Sequence, residues 1–348
     1  MCSSDLTHPV AVLAGQQALL DFQLALSGVE EEVTVTGQAP LLETTRSSLG
    51  GNIDARQLQD LPVQGRNWVD LVVLAPGSRV NAVTDAPSNI GATGSSSARD
   101  RADYQLNVDG QQITQLMGFG APQPRLGRDA IAEFQFLSSR FDATQGRSAG
   151  LQVNAITKSG TNRFLGTFAS YLRDDRFNAA DFVTHTVLPY HDQQVSTTFG
   201  GPIQKDRIHV FGNYEDEREP RSLVWTTPYP AFNEVRQKTH TEKKAFIRFD
   251  AQFSPRSRLA LTVTKLNGVV PDPSAIAGGS SGGVTPPSES NQLNTYGQVM
   301  GTLSSLLGHR SLNELKVGYT GLAQDTSQPY DHPLHPVGAA GQIGRAHV

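Results

Sequence analysis

The second half of the chain is dominated by alternation of apolar and polar positions. From Arg163 onward, side chains of the two kinds exchange at every second residue over segments of about ten residues, the pattern of a strand with one buried face. The clearest segment places Ala245, Ile247, Phe249, Ala251 and Phe253 on one face and Arg248, Asp250 and Gln252 on the other, with Phe246 as the exception. Strands are predicted near 164–173, 192–200, 207–216, 244–254, 258–267, 293–304 and 311–321.

The connections between these strands alternate in length. Long connections, rich in Pro, Gly or charge, are predicted at 174–191, 217–243 and 268–292, and tight turns at 201–206, 255–257 and 305–310. Long loops at one end and short turns at the other are typical of an outer-membrane β-barrel, with the turns in the periplasm. Membrane strands of about 9–11 residues fit the segments better than soluble strands of about 5–6. A soluble β-sandwich would share the alternation and is the alternative.

The first half of the chain gives mixed signals. Residues 10–27 resemble the closing strands of a small β-sandwich, and 30–37 form a short β-prone segment behind three glutamates. A short helix is predicted from Ile53 to just before Pro62, and a second run at helical spacing begins at Trp68. A Gly- and Ser-rich loop at 88–97 and short strands near 104–108, 133–137 and 151–157 complete a small α+β unit.

Both ends of the chain resemble the translation of a sequencing adapter. Met1–Leu6 and the residues from about 342 to Val348 are therefore expected to be a scar, with Thr7 to about Gly341 as the genuine protein. The single cysteine, Cys2, lies in that scar, so no disulfide or thiol chemistry is expected. A net charge of -4 gives no reason to expect a nucleic-acid partner. No apolar run reaches about 18 residues, which argues against a transmembrane helix and leaves a transmembrane barrel open.

Catalytic motifs are weak. Gly278–Gly282 fits Gly-x-Ser-x-Gly, but it lies in a Pro-flanked loop and not between a strand and a helix. His332 and His335 lack further ligands at recognisable spacing. The sequence also shows no paired-carboxylate cleft of the kind that a soluble carbohydrate-processing enzyme needs. We therefore expect no enzyme activity, no cofactor and no metal.

Four strings, in order, resemble TonB-dependent receptors of the Oar-like group, which carry a carboxypeptidase-regulatory-like domain in front. The strings are Glu31–Pro40, Leu58–Asn67 followed by Leu74–Gly77, Tyr104–Gly110, and Phe141–Gly150 followed by Val153–Gly166. The resemblance implies the end of the regulatory-like sandwich at 7–29, a TonB-box-like linker at 30–40, a plug domain at 41–162 and the first part of a barrel at 163–341. Family barrels have 22 strands, so the resemblance also implies that the chain is truncated.

The resemblance assigns a partner to the N-terminal linker. In such receptors TonB, a periplasmic energy-transducing protein, pulls on the segment before the plug and so admits a substrate bound outside. An extended, unpaired strand can be captured by another protein's sheet edge. The TonB-box-like residues are Glu32, Val33, Thr34, Val35 and Thr36, with an ordinary edge strand as the alternative.

Four polar residues of the plug region are candidates for contacts with the barrel wall that hold or release the plug. They are Arg66, Asp109, Asn154 and Lys158. The alternative is that Arg66, Asp109 and Lys158 are solvated turn residues and that Asn154 is a polar strand position.

The predicted fold is mainly β: a remnant β-sandwich, a small α+β plug and about seven strands of an incomplete antiparallel transmembrane barrel. The predicted location is the outer membrane, with TonB, outer-membrane lipid and an unknown extracellular substrate as partners. Energised substrate uptake is the expected function. A structural or adhesive outer-membrane protein of the same architecture is the alternative.

Overall fold

Two sheets and a few short helices make up the computed structural model. It describes residues 49–61, 63, 66–74, 104–113, 126–138, 151–180, 182, 185, 187, 190–225, 234–271, 291–308 and 311–327. The remnant sandwich, the TonB-box-like segment, the loop at 88–97, Gly278–Gly282 and both histidines of the 332–335 pair lie outside these residues.

Seven strands in simple up-and-down order form the larger sheet. Each strand pairs antiparallel with its neighbours in the sequence, from β6 at one edge to β12 at the other. The strands are β6 (Leu165–Asp174), β7 (His191–Gln204), β8 (Ile208–Trp225), β9 (Glu234–Ser254), β10 (Ser257–Pro271), β11 (Asn291–Leu307) and β12 (Ser311–Ser327). The predicted seven antiparallel strands of an incomplete barrel are confirmed.

One predicted connection is largely wrong. The expected loop at 217–243 is mostly strand, because β8 runs to Trp225 and β9 begins at Glu234, and the two are paired throughout. The sequence signal fails because the exposed face of β8 changes from Tyr214 to Asp216 and Arg218, so apolar residues no longer alternate with polar ones. The predicted turns also shorten, since β7 extends to Gln204 and β11 to Leu307.

The outward face of the larger sheet carries a continuous apolar band near the short turns. Its exposed members include Phe168, Phe199, Ile247, Phe249, Phe253, Leu261, Val263, Val299, Leu315, Val317 and Tyr319. Toward the longer connections the band ends between Val195 and Gln193 on β7, between Tyr214 and Asp216 on β8, and between Ala245 and Lys243 on β9. The inward face is polar, as at Ser196, Asn213, Thr262 and Gln298.

A five-stranded sheet with a short helix forms the α+β unit. Its order is β1-β4-β5-β2-β3, with β1 (Leu49–Ile53), β2 (Tyr104–Val108), β3 (Gln111–Gln112), β4 (Ile131–Ser138) and β5 (Leu151–Thr157). Strands β2 and β5 are parallel and the other pairs antiparallel. Short 3-10 helices span Trp68–Leu74 and Arg128–Ala130, and a third, Asp175–Phe177, follows β6.

Helix α1 (Ala55–Asp60) begins at a reciprocal cap. The Asp54 carboxylate accepts a hydrogen bond from the Gln57 amide at 2.7 Å, and the Gln57 side chain accepts one from the Asp54 amide at 3.1 Å. The helix ends two residues before Pro62, as predicted.

The core of the α+β unit continues into the inward face of the larger sheet. Trp68, Leu106, Phe134 and Val153 are fully buried, and Phe211 and Phe246 of β8 and β9 belong to the same hydrophobic cluster. The exceptional Phe246 is thus explained, because it packs with Phe211 at a ring separation of 6.3 Å against the α+β unit. In the part of the chain that the structure describes, no helix is long and apolar enough to cross a membrane.

Candidate functional site

A two-residue hairpin carries Asp109 to the larger sheet. Asn107 pairs with Gln112 and Val108 with Gln111, so Asp109 and Gly110 alone form the turn. Both have positive φ, 49° and 80°, as the tight turn with the matching twist requires, and Asp-Gly is a preferred sequence for it. The hairpin tip lies beside β9 through Arg248 and beside β12 through Lys316.

Asp109 forms the centre of one network across the two sheets. Its carboxylate accepts hydrogen bonds from the Thr157 amide at 3.0 Å and the Thr157 hydroxyl at 2.7 Å. Arg248 of β9 lies 3.4 Å from the same carboxylate and donates through Nη1 to the Thr157 hydroxyl at 2.9 Å. One arginine of the larger sheet therefore binds two residues of the α+β unit.

Asp250 fixes the guanidinium of Arg248. Its two oxygens accept from Arg248 Nε at 2.8 Å and from Nη2 at 3.0 Å, a bidentate pair. Arg258 of β10 donates to Asp250 at 2.8 Å. Asp250 thus holds two of the three guanidinium nitrogens, Nε and Nη2. The third nitrogen, Nη1, points toward the α+β unit.

Arg66 lies in a second network. Its Nη2 donates to Asp129 at 3.0 Å, and its guanidinium stacks 3.7 Å from the centre of the Tyr171 ring on β6, a cation–π contact. The same oxygen of Asp129 accepts a 2.6 Å hydrogen bond from the buried Ser196 hydroxyl of β7. This network joins the opposite side of the α+β unit to the first two strands of the larger sheet.

Two further cations lie beside Arg66: Lys158, which is half-buried, and Arg128, which is buried. Burial lowers the pKa of Lys158, and the charge of Arg66 lowers it further against the opposing effect of Asp129. Burial likewise lowers the pKa of Arg128. Arg128 donates to the Leu58 carbonyl and, at 2.9 Å, to the Leu61 carbonyl, so it satisfies acceptors at the C-terminal end of α1.

Asn154 makes its side-chain bond within the α+β unit. It accepts from the Asn107 amide at 2.8 Å and lines a cavity of about 670 Å³ between that unit and strands β9–β12. The structure thus places Arg66 and Asp109 in contact with the larger sheet, Lys158 among the charges of the Arg66 network, and Asn154 on the cavity wall. That these residues hold or release the unit stays a prediction.

A buried charge cluster on the inward face lies outside the sequence predictions. Lys244 Nζ lies 2.7 Å from Glu215, 2.9 Å from Glu217 and 3.3 Å from Glu242, and all four side chains are largely buried. The sequence offered a partial signal, because Glu215 and Glu217 alternate on β8. Lys244 directly follows the predicted loop at 217–243, so the sequence does not show that it lies opposite these glutamates. Among the described residues, no group of three or more His, Cys, Asp or Glu could hold a metal ion.

Comparison with known proteins agrees with this architecture. A family model described as an outer membrane beta barrel domain matches residues 156–236. The TonB-dependent transporter Oar of Myxococcus xanthus is 24% identical over 211 residues, which are 56% of this chain and 19% of that protein. The chain thus spans about a fifth of this curated relative.

Solved structures of outer-membrane proteins share the fold, among them a transporter and a receptor. The outer membrane transporter YddB from Escherichia coli has a TM-score of 0.60 at 14% identity, over 81% of this chain and 40% of its own. A mutant of the ferric enterobactin receptor PfeA from Pseudomonas aeruginosa has a TM-score of 0.58 at 11% identity, over 80% of this chain and 41% of its own.

The inward polar face, the outward apolar band and the matching family model make this an outer-membrane β-barrel chain, as the sequence predicted. The resemblance to TonB-dependent receptors is confirmed by its relatives in sequence and in fold. The prediction that the chain is not an enzyme agrees with these comparisons, because the relatives are transporters and receptors.

Proposed function

We propose that the chain is the N-terminal part of a TonB-dependent receptor that takes up a substrate across the outer membrane. The α+β unit is its plug, and the larger sheet is the beginning of its barrel. The observation that carries this proposal is that the α+β unit packs against the inward face of the larger sheet. Its core is shared with Phe211 and Phe246, yet its charged contacts at Asp109 and Arg66 are ones that water could replace.

TonB is the proposed partner, and Glu32–Thr36 is the segment it captures. The chain runs from this segment to β1, which, among the described residues, lies at the edge of the five-stranded sheet and pairs with β4 alone. A pull transmitted to Leu49 acts first on five residue pairs, from Leu49 with Ser138 to Ile53 with Phe134. Breaking these pairs leaves the rest of the sheet held by the Asp109 and Arg66 networks.

A structural or adhesive role without transport is the competing proposal. Strand addition by TonB separates the two, because only a transporter needs it. The relatives' names concern a ferric enterobactin receptor and transporters, and they do not fix the substrate of this chain. Its substrate is proposed only as an extracellular solute bound before uptake.

The test replaces Val35 in the full-length receptor. Val35→Pro removes a backbone donor and disfavours strand pairing, whereas Val35→Ile, the matched control, keeps both the donor and the strand preference. We expect Val35→Pro to abolish co-purification with the periplasmic domain of TonB and Val35→Ile to retain it. Equal retention by both variants would contradict the TonB-box assignment. Unchanged substrate uptake after deletion of Glu31–Gly37 would contradict energised transport.

A further inference from the structure

The α+β unit meets the larger sheet unequally on its two sides. Against β8 the approach is close: a methyl group added to Gly160 would lie 2.8 Å from the Val210 amide nitrogen, and one added to Gly127 would lie 3.2 Å from the Glu215 carboxylate. Such distances leave no room for a side chain. Against β10–β12 the close approach is confined to the hairpin tip, where Gly110 meets Lys316 and Gln111 meets Gly318, and the cavity separates the rest of the two surfaces.

The wall that the α+β unit gives to this cavity is a row of amides. Gln105 donates to Asn107 at 2.9 Å, and Asn107 donates to Asn154 at 2.8 Å. Gln105 is only 4% exposed, yet its side-chain carbonyl oxygen has no hydrogen-bond partner. A buried carbonyl without a donor is costly, and a small rotation of this amide toward the cavity would let a bound hydroxyl or amide donor relieve that cost.

The opposite wall offers hydroxyl groups and balanced charges. Thr262, Thr302 and Ser304 line it. The lining cations are Arg248, Arg258 and Lys316, and each has a carboxylate partner: Asp250 for both arginines and Glu314, at 3.0 Å, for the lysine. No aromatic residue belongs to the described lining. A charged ligand would have to break these pairs, while an uncharged hydrogen-bonding ligand would not.

We propose that this cavity is an internal binding site for an uncharged, polyhydroxylated solute such as a small sugar, on the β10–β12 side of the α+β unit. Its volume of about 670 Å³ is within the range of about 300–1,000 Å³ that small-molecule sites occupy. The site gives a solute hydrogen-bonding groups on two walls while the unit stays in contact with β8. It rests on the proposed function, since it specifies where a solute in transit would pause.

The experiment uses the purified full-length receptor in detergent, in a background from which any native cysteine has been removed. Thr302→Cys places a thiol in the cavity, and Arg256→Cys places one at the neighbouring exposed turn between β9 and β10. A small hydrophilic thiol reagent is added with and without sucrose. We expect sucrose at twice its dissociation constant to slow labelling of Thr302→Cys about threefold, since the free fraction is 1/(1 + [L]/Kd), and to leave Arg256→Cys unchanged.

One further variant and one charged solute test which kind of ligand the cavity prefers. Adding Gln105→Leu, which removes the unpartnered carbonyl and keeps the side-chain size, should raise the sucrose concentration needed for protection. Sodium gluconate should protect less than sucrose. Equal slowing at both cysteines, no slowing at either, unchanged protection in Gln105→Leu, or equal protection by gluconate would each overturn the proposal. TonB is absent from this assay, so its outcome is separate from that of the TonB test.

Discussion

Arg248 and Asp250 face the same way on β9 and form a bidentate ion pair, with N–O distances of 2.8 and 3.0 Å. The pair belongs to the larger sheet, but its effect reaches the α+β unit. Because Asp250 holds Nε and Nη2, the remaining Nη1 is directed at Thr157 and Asp109. A fixed fork of this kind is a property of arginine that lysine does not share.

Replacing Arg248 should loosen the α+β unit. Arg248→Met keeps the length of the side chain but leaves the buried Asp250 with Arg258 as its one remaining charged partner among the described residues, and breaking a buried pair costs about 3–5 kcal/mol. We expect faster amide exchange in β5, first at Thr157, measured by hydrogen–deuterium exchange of the full-length receptor. Arg207→Met, at an exposed turn, is the control. Exchange in β5 at the wild-type rate would show that Arg248 does not hold the unit.

Phe246 and Ile247 give a direct test of which face points inward. Phe246 is 2% exposed within the shared core, whereas its neighbour Ile247 is 50% exposed on the apolar band. Phe246→Ala should lower the free energy of unfolding by about 3–5 kcal/mol, because it leaves a cavity between the unit and the sheet. Ile247→Ala faces lipid or detergent and should cost far less. Equal losses in urea titration of the two variants would contradict the assigned orientation.

Strand periodicity made the larger sheet predictable, and its failures follow from the same signal. Ala245 to Phe253 alternate cleanly because they cross from a polar interior to an apolar exterior. Glu217 and Arg218 lie beyond the band, where both faces are polar, so the sequence predicts a loop from residue 217 although β8 continues to Trp225. Apolar alternation reports burial in an apolar medium and is silent where a strand continues into water.

The polar contacts were predictable only in part. Asp109 and Arg66 are candidates because they are polar residues of the plug region, and their positive φ agrees with the turn position that a neighbouring glycine suggests. Arg248 is 139 positions from Asp109 in the sequence, and Tyr171 is 105 positions from Arg66. Ser196 is 67 positions from Asp129, the ion-pair partner of Arg66. Such pairings depend on how the two sheets pack, which no local pattern encodes. The same limit hid the role of Thr157, an ordinary strand residue until Asp109 and Arg248 converge on it.

Asp192 should make stability depend on pH. It lies at the start of β7, outside the apolar band, and burial raises its pKa to about 6, with the carboxylates of Glu219 and Glu217 adding to the shift. An acid with a raised pKa binds more protons folded than unfolded, so its contribution is complete below its ordinary pKa of 3.8 and is lost as pH rises to about 6. Since Asp192 is half-exposed, solvent screening should reduce the effect to about 1 kcal/mol.

Asp192→Asn removes this titration and should be more stable than the wild type at pH 7.5, with a flatter stability profile between about pH 4 and 6. The comparison is a urea titration of both proteins in detergent at several pH values. A variant that is less stable at pH 7.5 would mean that the ionised carboxylate is stabilised in the fold.

Arg128 should hold α1 against the rest of the α+β unit. Its guanidinium donates to the Leu58 and Leu61 carbonyls, which lie at the end of the helix. Arg128→Met fills similar space but leaves these carbonyls without that donor, at a cost of about 1–3 kcal/mol for a buried unsatisfied group. The matched control is Arg56→Met, which loses only an exposed ion pair with Asp60 at 3.5 Å, worth about 0.3–0.5 kcal/mol.

Amide exchange of α1 in the full-length receptor, followed through a urea titration, gives the midpoint at which the unit that contains α1 unfolds in these variants. Equal midpoints for Arg128→Met and Arg56→Met would contradict the role of Arg128. In the chain α1 follows directly after β1, so it is the next element that a pull from the N-terminus would reach. Because Arg128 holds α1 to the unit, Arg128→Met should also make the amides of α1 exchange before those of β4. Simultaneous exchange of α1 and β4 in Arg128→Met would show that Arg128 is not what holds α1 to the unit.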